Sequence, residues 1–256
     1  DLVENHRLWF SPNVDLCLVP TEVARDLAVS YGLAPQKVKM TGIPVDPAIA
    51  EERDPSEIRT ELGWRTDLPT LLVVGGKRVG NLTPALNALN HSGLPLQLAL
   101  LAGGDDDLYR QLQETEWHAP AHVYNFVDNM PALMRASDFI LCKAGGLIVS
   151  ESLASGLPLV LIDVIPGQEM GNAEYVIEHG AGQKAEGALA ALEIVRHWLA
   201  DDGALLSERA RNARRVGHPR AAFEVAEYAW EIAADVEKGD GRDEGSRSVV
   251  HVTEDR

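Results

Sequence analysis

"KAGGLIVSE", residues 143–151, is the stretch whose reading decides the fold. It follows the apolar run "SDFILC" (137–142) and precedes "SLASGLPLVLID" (152–163). A strand, two adjacent glycines and a helix carrying one acid make the unit with which α/β proteins seat an anion. The glycines let backbone amides approach closely, and the helix start favours negative charge. Gly145 and Gly146 occupy the turn, and Glu151 lies about five residues further, roughly 7–8 Å along the axis at ~1.5 Å rise per residue. A nucleotide's ribose would sit there, and a carboxylate accepts hydrogen bonds from its 2′ and 3′ hydroxyls. The alternative is a solvated first-turn acid favoured by the helix dipole. On these residues alone the two readings weigh equally.

Outward from this stretch the same unit recurs. Strands are predicted near 69–74, 95–101, 121–125, 138–142 and 158–162, with helices between them and helical sequence from about 187 to 236. Short Val-, Leu- and Ile-rich runs alternating with helical patterns predict an α/β fold, a doubly wound Rossmann-like parallel sheet, over residues 69–236. Before it, "VDLCLVP" (14–20), "TEVARDLAVSYG" (21–32, with Thr21 as N-cap and Gly32 as stop) and "KVKMTG" read as strand, helix and strand. Residues 1–44 thus look like the end of another domain. Residues 45–68, rich in Pro and charge with one short helix, are expected to be a linker, and 237–256 a disordered acidic tail. The chain opens in what reads as the middle of a fold, which suggests a piece of something longer.

Composition narrows the function. Against 39 Asp+Glu stand 23 Lys+Arg, a formal net charge of −16. That argues against nucleic acid as a partner and against simple electrostatic docking on anionic lipid. The two cysteines, Cys17 and Cys142, lie inside apolar runs and read as buried free thiols of a reducing compartment. No apolar run approaches the roughly 18 residues of a membrane span. The expected location is cytoplasmic, peripheral at a membrane.

In an open parallel sheet ligands bind at the carboxyl ends of the strands, which directs attention to three further loops. In "VVGGKRVGNLTP" (73–84), Gly75 and Gly76 end a strand and Thr83-Pro84 supply a cap and first turn; the loop lacks both the P-loop and the dinucleotide glycine spacing. In "IPGQEMGNAEYVIEHGAG" (165–182), Gln168 opens a helix whose face presents Gln168, Glu169 and Asn172, a donor–acceptor mixture suited to a polyhydroxyl ligand. In "NFVDNMPALM" (125–134), Asp128 is the expected cap, and Phe126 and Val127 can meet a flat base. Other features carry less. Asp105-x-Asp107 reads as a helix cap rather than a metal motif. His118 and His122 span Pro120 and lack further ligands. Ser150 and Ser152 lack a hydrolase elbow.

Together these loops resemble the carboxyl-terminal half of GT-B glycosyltransferases, specifically diacylglycerol sugar transferases: plant-type monogalactosyldiacylglycerol synthases and bacterial diacylglycerol glucosyltransferases. The likeness runs through residues 143–182, with "NFVDNMPALM" shortly before, and extends to "HRLWF", "PTEVARDLAVSYGL" and "KVKMTGIPV" as the last segment of an acceptor-side domain. The resemblance implies a metal-free, cofactor-free transfer of hexose, with inversion, from a UDP-sugar to a lipid acceptor. Amides at Gly145 and Gly146 would hold the diphosphate, Glu151 the ribose, Gln168 and Glu169 the sugar hydroxyls, and the Phe126–Val127 backbone the uracil. The base that takes the acceptor proton would lie in an amino-terminal domain or partner subunit, and the membrane contact with it. One departure is that Lys77 and Arg78 stand in the first loop where the family favours small residues. The rival expectation is a non-catalytic sugar-nucleotide-binding subunit that needs a partner; an epimerase would need carboxylates and a His across the cleft that are not identifiable here.

Overall fold

The computed structural model describes residues 1–76, 79–167 and 169–240. The chain opens with a strand–helix–strand unit: β1 (Cys17–Val19), α1 (Glu22–Ser30) and β2 (Val38–Met40), the strands parallel and paired Cys17 to Val38. Thr21 caps α1 by accepting the Ala24 amide at 3.2 Å. Gly32, at φ +101°, takes the left-handed conformation that ends the helix region.

The main body follows α2 (Pro55–Glu61). In chain order it runs β3 (Thr70–Val74), α3 (Leu82–Asn90), β4 (Gln97–Leu101), α4 (Asp106–Glu114), β5 (Ala121–Tyr124), α5 (Met130–Arg135), β6 (Phe139–Cys142), α6 (Gly146–Ala154), β7 (Leu159–Leu161), α7 (Met170–Glu178) and β8 (Gly182–Lys184). Helices α8 (Ala188–Leu199), α9 (Ala204–Val216) and α10 (Ala221–Asp240) complete it. The strands form one parallel sheet in the order β5-β4-β3-β6-β7-β8. Both faces are covered, so successive residues serve opposite cores. Leu72, Ile140, Leu159 and Leu161 pack with α5, α6 and α7, while Leu71, Val73, Leu141 and Val160 pack with α3 and α8.

The structure departs from expectation in four places. The sheet has six strands rather than five, because "GQK" (182–184) pairs with β7 as an edge strand without any apolar run to announce it. Gly182 is required there, since a Cβ would stand 2.4 Å from the Leu159 carbonyl oxygen and 2.5 Å from Val176 Cγ1. The expected linker is packed: Ile58 and Trp64 are buried in the main core, Trp64 Nε1 donates to the Tyr124 hydroxyl at 2.8 Å, and Arg59 Nη2 pairs with Asp138 at 2.7 Å. Its high charge concealed two apolar anchors. The last helix reaches Asp240, four residues past its expected end at 236, because "DVEKGD" continues the backbone pattern of α10. Residues 241–256 lie outside the described residues. Cys142 is buried as expected, but Cys17 is only half-buried.

Helix α9 ends where it crosses α6, and that crossing depends on Gly217. A Cβ at Gly217 would meet the Leu153 carbonyl oxygen at 2.1 Å and the Ala154 amide nitrogen at 2.8 Å, both backbone atoms that cannot swing aside. Gly217→Ala is therefore expected to destabilise the fold by at least ~1–3 kcal/mol, the usual cost of overpacking. Urea titration should show a lower midpoint at unchanged slope.

Candidate functional site

Numbered within the main sheet alone, the strand order is 3-2-1-4-5-6, so the winding reverses between β3 and β6. At such a reversal the loops from the two carboxyl ends diverge in opposite directions and leave a crevice. The β3–α3 and β6–α6 loops, which carry the two glycine pairs, form it.

On the β3 side, Gly75 is hemmed in: a Cβ would stand 2.7 Å from Leu108 Cδ2, 2.8 Å from Leu82 Cδ2 and 2.9 Å from the Leu101 carbonyl oxygen. Gly76 has φ +151° and nothing within 4 Å of its Cβ position, which leaves its backbone open to an approaching group. Helix α3 starts at Leu82 with Asn81 before it, two residues earlier than Thr83-Pro84 suggested. The Asn81 side chain does not cap the helix. Its backbone amide donates to Asp163 Oδ2 at 2.7 Å and its side-chain amide to Asp163 Oδ1, which joins the loops after β3 and β7. Asp163 has φ +50°, a conformation that a non-glycine residue holds only when its surroundings impose it. Lys77 and Arg78 lie outside the described residues.

On the β6 side, α6 starts at Gly146 with Gly145 as N-cap, and no side chain caps its first-turn amides. Lys143 stands beside this turn. Its Nζ donates to Glu169 Oε1 at 2.8 Å, and a Cβ on Gly145 would be 3.6 Å from Lys143 Cε and 3.7 Å from that same carboxylate oxygen. Uncapped amides, the positive end of a helix and an ammonium together form an anion seat. The Cys142 thiol just before it is fully buried, and burial, reinforced by Glu169, pushes its pKa up to about 12. It carries no thiolate chemistry.

Glu151 lies in the second turn of α6, so it is not the first-turn acid of the alternative reading. It is half-buried, and its carboxylate has no hydrogen-bond or ion-pair partner among the described residues. Burial raises its pKa first, and the nearby Asp46 carboxylate raises it further. A half-buried acid without donors is costly unless a ligand supplies them. Ser150 and Ser152 only return their hydroxyls to the Gly146 and Ile148 carbonyls of the same helix, at 2.8 and 2.6 Å.

The expected sugar-binding face is altered. Helix α7 begins at Met170, not at Gln168, and Gln168 lies outside the described residues. Glu169 is 4% exposed and turned inward, with one oxygen on Lys143 and the other accepting the Ile165 amide at 3.3 Å. Asn172 is 1% exposed; it accepts the Leu2 amide at 2.8 Å and donates to the Ala144 carbonyl at 2.9 Å and to Asp1 at 3.2 Å. Both residues therefore brace the site from behind instead of facing a ligand, because each finds buried backbone groups to satisfy. At the end of β5, Phe126 is 73% exposed, while Val127 packs in the core layer that includes Val149 and Leu153 of α6. Asn129, not Asp128, caps α5, through Oδ1 on the Ala132 amide. Asp105 caps α4, accepting the Asp107 and Leu108 amides at 3.2 Å.

Sequence reasoning missed Lys143 and Asp163. The signal for Lys143 was its place two residues before the glycine turn; a conformation such as that of Asp163 leaves no trace in composition.

Comparisons with known proteins identify the family and the fold. The model of the glycosyltransferase family 28 C-terminal domain matches residues 70–202, and that of monogalactosyldiacylglycerol (MGDG) synthase matches residues 1–45. A probable chloroplastic monogalactosyldiacylglycerol synthase of Glycine max is 33% identical over 241 residues, covering 91% of this chain and 46% of its own length. The chain thus spans about half the length of the curated relatives it matches. Among solved structures, WaaG, a glycosyltransferase involved in lipopolysaccharide biosynthesis, has a TM-score of 0.59 at 20% identity, with 84% of this chain and 61% of WaaG covered. Anabaena HepE in complex with UDP-glucose has a TM-score of 0.53 at 17% identity, covering 85% and 64%. The fold is that of GT-B glycosyltransferases.

The environment of Glu151 sets a pH dependence. Its folded pKa lies above the unfolded value of 4.5, so its contribution to stability is complete below 4.5 and is lost as pH rises through the folded value. Glu151→Gln, which never ionises, is expected to melt higher than the unsubstituted chain near about pH 7 and to match it near about pH 4. Thermal melts across that range check this; equal melting temperatures throughout would contradict the burial of the carboxylate.

Proposed function

The chain belongs to glycosyltransferase family 28, and on that premise we propose that it is the donor-binding half of an inverting transferase that moves a hexose from a UDP-sugar to a lipid acceptor such as diacylglycerol. The observation that carries this reading is the pairing of the α6 anion seat with Glu151, a half-buried carboxylate lacking donors one and a half turns further on. A nucleoside diphosphate has matching parts in matching order: phosphates for the amides, and two vicinal hydroxyls for the acid.

In this reading the diphosphate lies on the amides at Gly145 and Gly146, reached from the other side by the Gly75–Gly76 backbone. The ribose lies on Glu151 and the uracil against the Phe126–Val127 backbone. Gln168 serves the sugar hydroxyls, and Glu169 and Asn172 hold the loop that presents them. The acceptor oxygen forms its bond to the anomeric carbon from the face opposite UDP as the bond to the phosphate oxygen breaks. The electron pair leaves with UDP, and the developing negative charge meets the α6 amides and the Lys143 ammonium, which a preorganised site supplies without reorganisation. The acceptor proton goes to a base on the other half of the enzyme. His6 is a poor candidate for it, since it is exposed and its Nδ1 accepts the Leu8 amide at 3.2 Å. A lipid acceptor would bring the protein to a membrane surface; the described residues include no helix long and apolar enough to cross a membrane.

Calorimetry distinguishes this from an unrelated anion site. UDP is expected to bind and ADP to give much less heat; equal heats, or none for either, would remove the uridine assignment. Glu151→Ala should weaken UDP by ~1.5–3 kcal/mol, the scale of hydrogen bonds to a charged group, while the chain stays folded.

A second expectation concerns transfer. Near-attack geometry and proton removal need groups on both sides of the cleft. Supplied with radiolabelled UDP-glucose or UDP-galactose and mixed micelles of diacylglycerol, residues 1–256 alone should produce no lipid-soluble label, and the addition of an acceptor-side domain should produce it. Robust labelling by this chain alone would show that the acceptor side is already complete.

A further inference from the structure

At the amino ends of β6 and β7, opposite the switch-point crevice, α2, α5 and α9 close around a hollow of about 410 Å³. Four arginines line it, Arg59, Arg135, Arg211 and Arg214, against a single carboxylate, Asp138. Arg59 takes that carboxylate at 2.7 Å, together with the Ala136 carbonyl at 2.7 Å. Arg135 is half-buried and donates to the Ile49 carbonyl at 2.7 Å, a neutral partner that leaves its charge uncompensated. Arg211 and Arg214 have no carboxylate within 4.0 Å among the described residues.

Three positive charges therefore remain unpaired in one concavity. The carboxyl-terminal ends of α5 and α6, which also open here, offset about half a charge each, so roughly two positive charges persist on a chain whose formal net charge is −16. One of the side chains is also seated. Arg214 lies across Gly156, where a Cβ would meet its Cγ at 2.6 Å and its Nε at 2.8 Å, and Gly156 (φ +73°) leaves that space open. Guanidinium forks grip tetrahedral oxyanions two bonds at a time, and Ser207 adds a hydroxyl at the rim.

We infer that this hollow is a second anion site, separate from the sugar-nucleotide crevice, and that it takes a phosphate or phosphomonoester group. The crevice lies at the carboxyl ends of the strands and the hollow at their amino ends, so the two can be filled independently.

The test is a backbone-amide NMR titration of the whole chain with inorganic phosphate, and in a second arm with glycerol 3-phosphate, at constant ionic strength held with chloride. Phosphate is expected to shift residues 155–157 and 207–214. Arg211→Gln and Arg214→Gln should each weaken binding about tenfold, the scale of one lost charge-assisted contact. Both arginines are exposed, so the variants keep their fold, which an unchanged melting temperature in chloride verifies. Tighter binding of glycerol 3-phosphate would identify an organic phosphomonoester as the ligand, and tighter binding of inorganic phosphate the free ion. The inference is overturned if chloride produces the same shifts, if shifts are confined to residues 75–81 and 143–148, or if neither substitution changes the affinity.

Discussion

One buried backbone segment holds the two sheets together. Leu2 is 4% exposed, and both of its main-chain polar groups are satisfied from different parts of the molecule: its amide by Asn172 Oδ1 at 2.8 Å and its carbonyl by the Thr21 hydroxyl at 2.6 Å. A buried amide or carbonyl left without a partner costs about as much as a lost hydrogen bond, so this chain of contacts is not optional. Thr21 also caps α1, and Asn172 also holds the Ala144 carbonyl immediately before the glycine turn of α6. The two-stranded unit, the amino-terminal segment and the anion seat are thus positioned by one connected set of hydrogen bonds. A shift of α7 would be felt at the glycine turn of α6 and at α1 together.

The same economy appears beside it. Glu169 is almost wholly buried, which is tolerable only because Lys143 and the Ile165 amide share its charge. That pair lets an ammonium stand at the mouth of α6 without being fixed by exposed salt bridges, which are worth little in water. The Asn81–Asp163 contact bridges the loops on either side of β6 from above. The crevice is consequently lined by backbone amides and framed by the Lys143–Glu169 ion pair and the Asn81–Asp163 hydrogen bonds, with Glu151 half-buried and without a partner among the described residues.

Charge is distributed by end of the sheet as well as by residue. Strand carboxyl ends feed helix amino termini at the crevice, and the polarity reverses at the amino ends, where helix carboxyl termini gather arginines. Arg135 and Arg214 sit where helix dipoles favour cations, yet four arginines exceed what two helix ends can balance. The acidic surface elsewhere sharpens the contrast.

Much of this was legible in the sequence, for a physical reason: strands buried on both faces must be apolar throughout, so β3, β4, β6 and β7 announce themselves as Leu-, Val- and Ile-rich runs, and turns that approach phosphate closely need glycine. The amino-acid order alone therefore determined the parallel α/β fold, the glycine turns at 75–76 and 145–146, and the spacing from the second of these to Glu151. It could not reveal β8, whose "GQK" is an edge strand without an apolar run, nor Ile58 and Trp64 anchoring a charged stretch. Glu169, Asn172 and Lys143 mark the limit most clearly. Their types were right for a polar site, but whether a carboxylate or an amide faces a ligand or a buried backbone group depends on which unsatisfied donors and acceptors surround it. Only the folded chain brings Leu2 to Asn172, 170 residues away, and Lys143 to Glu169.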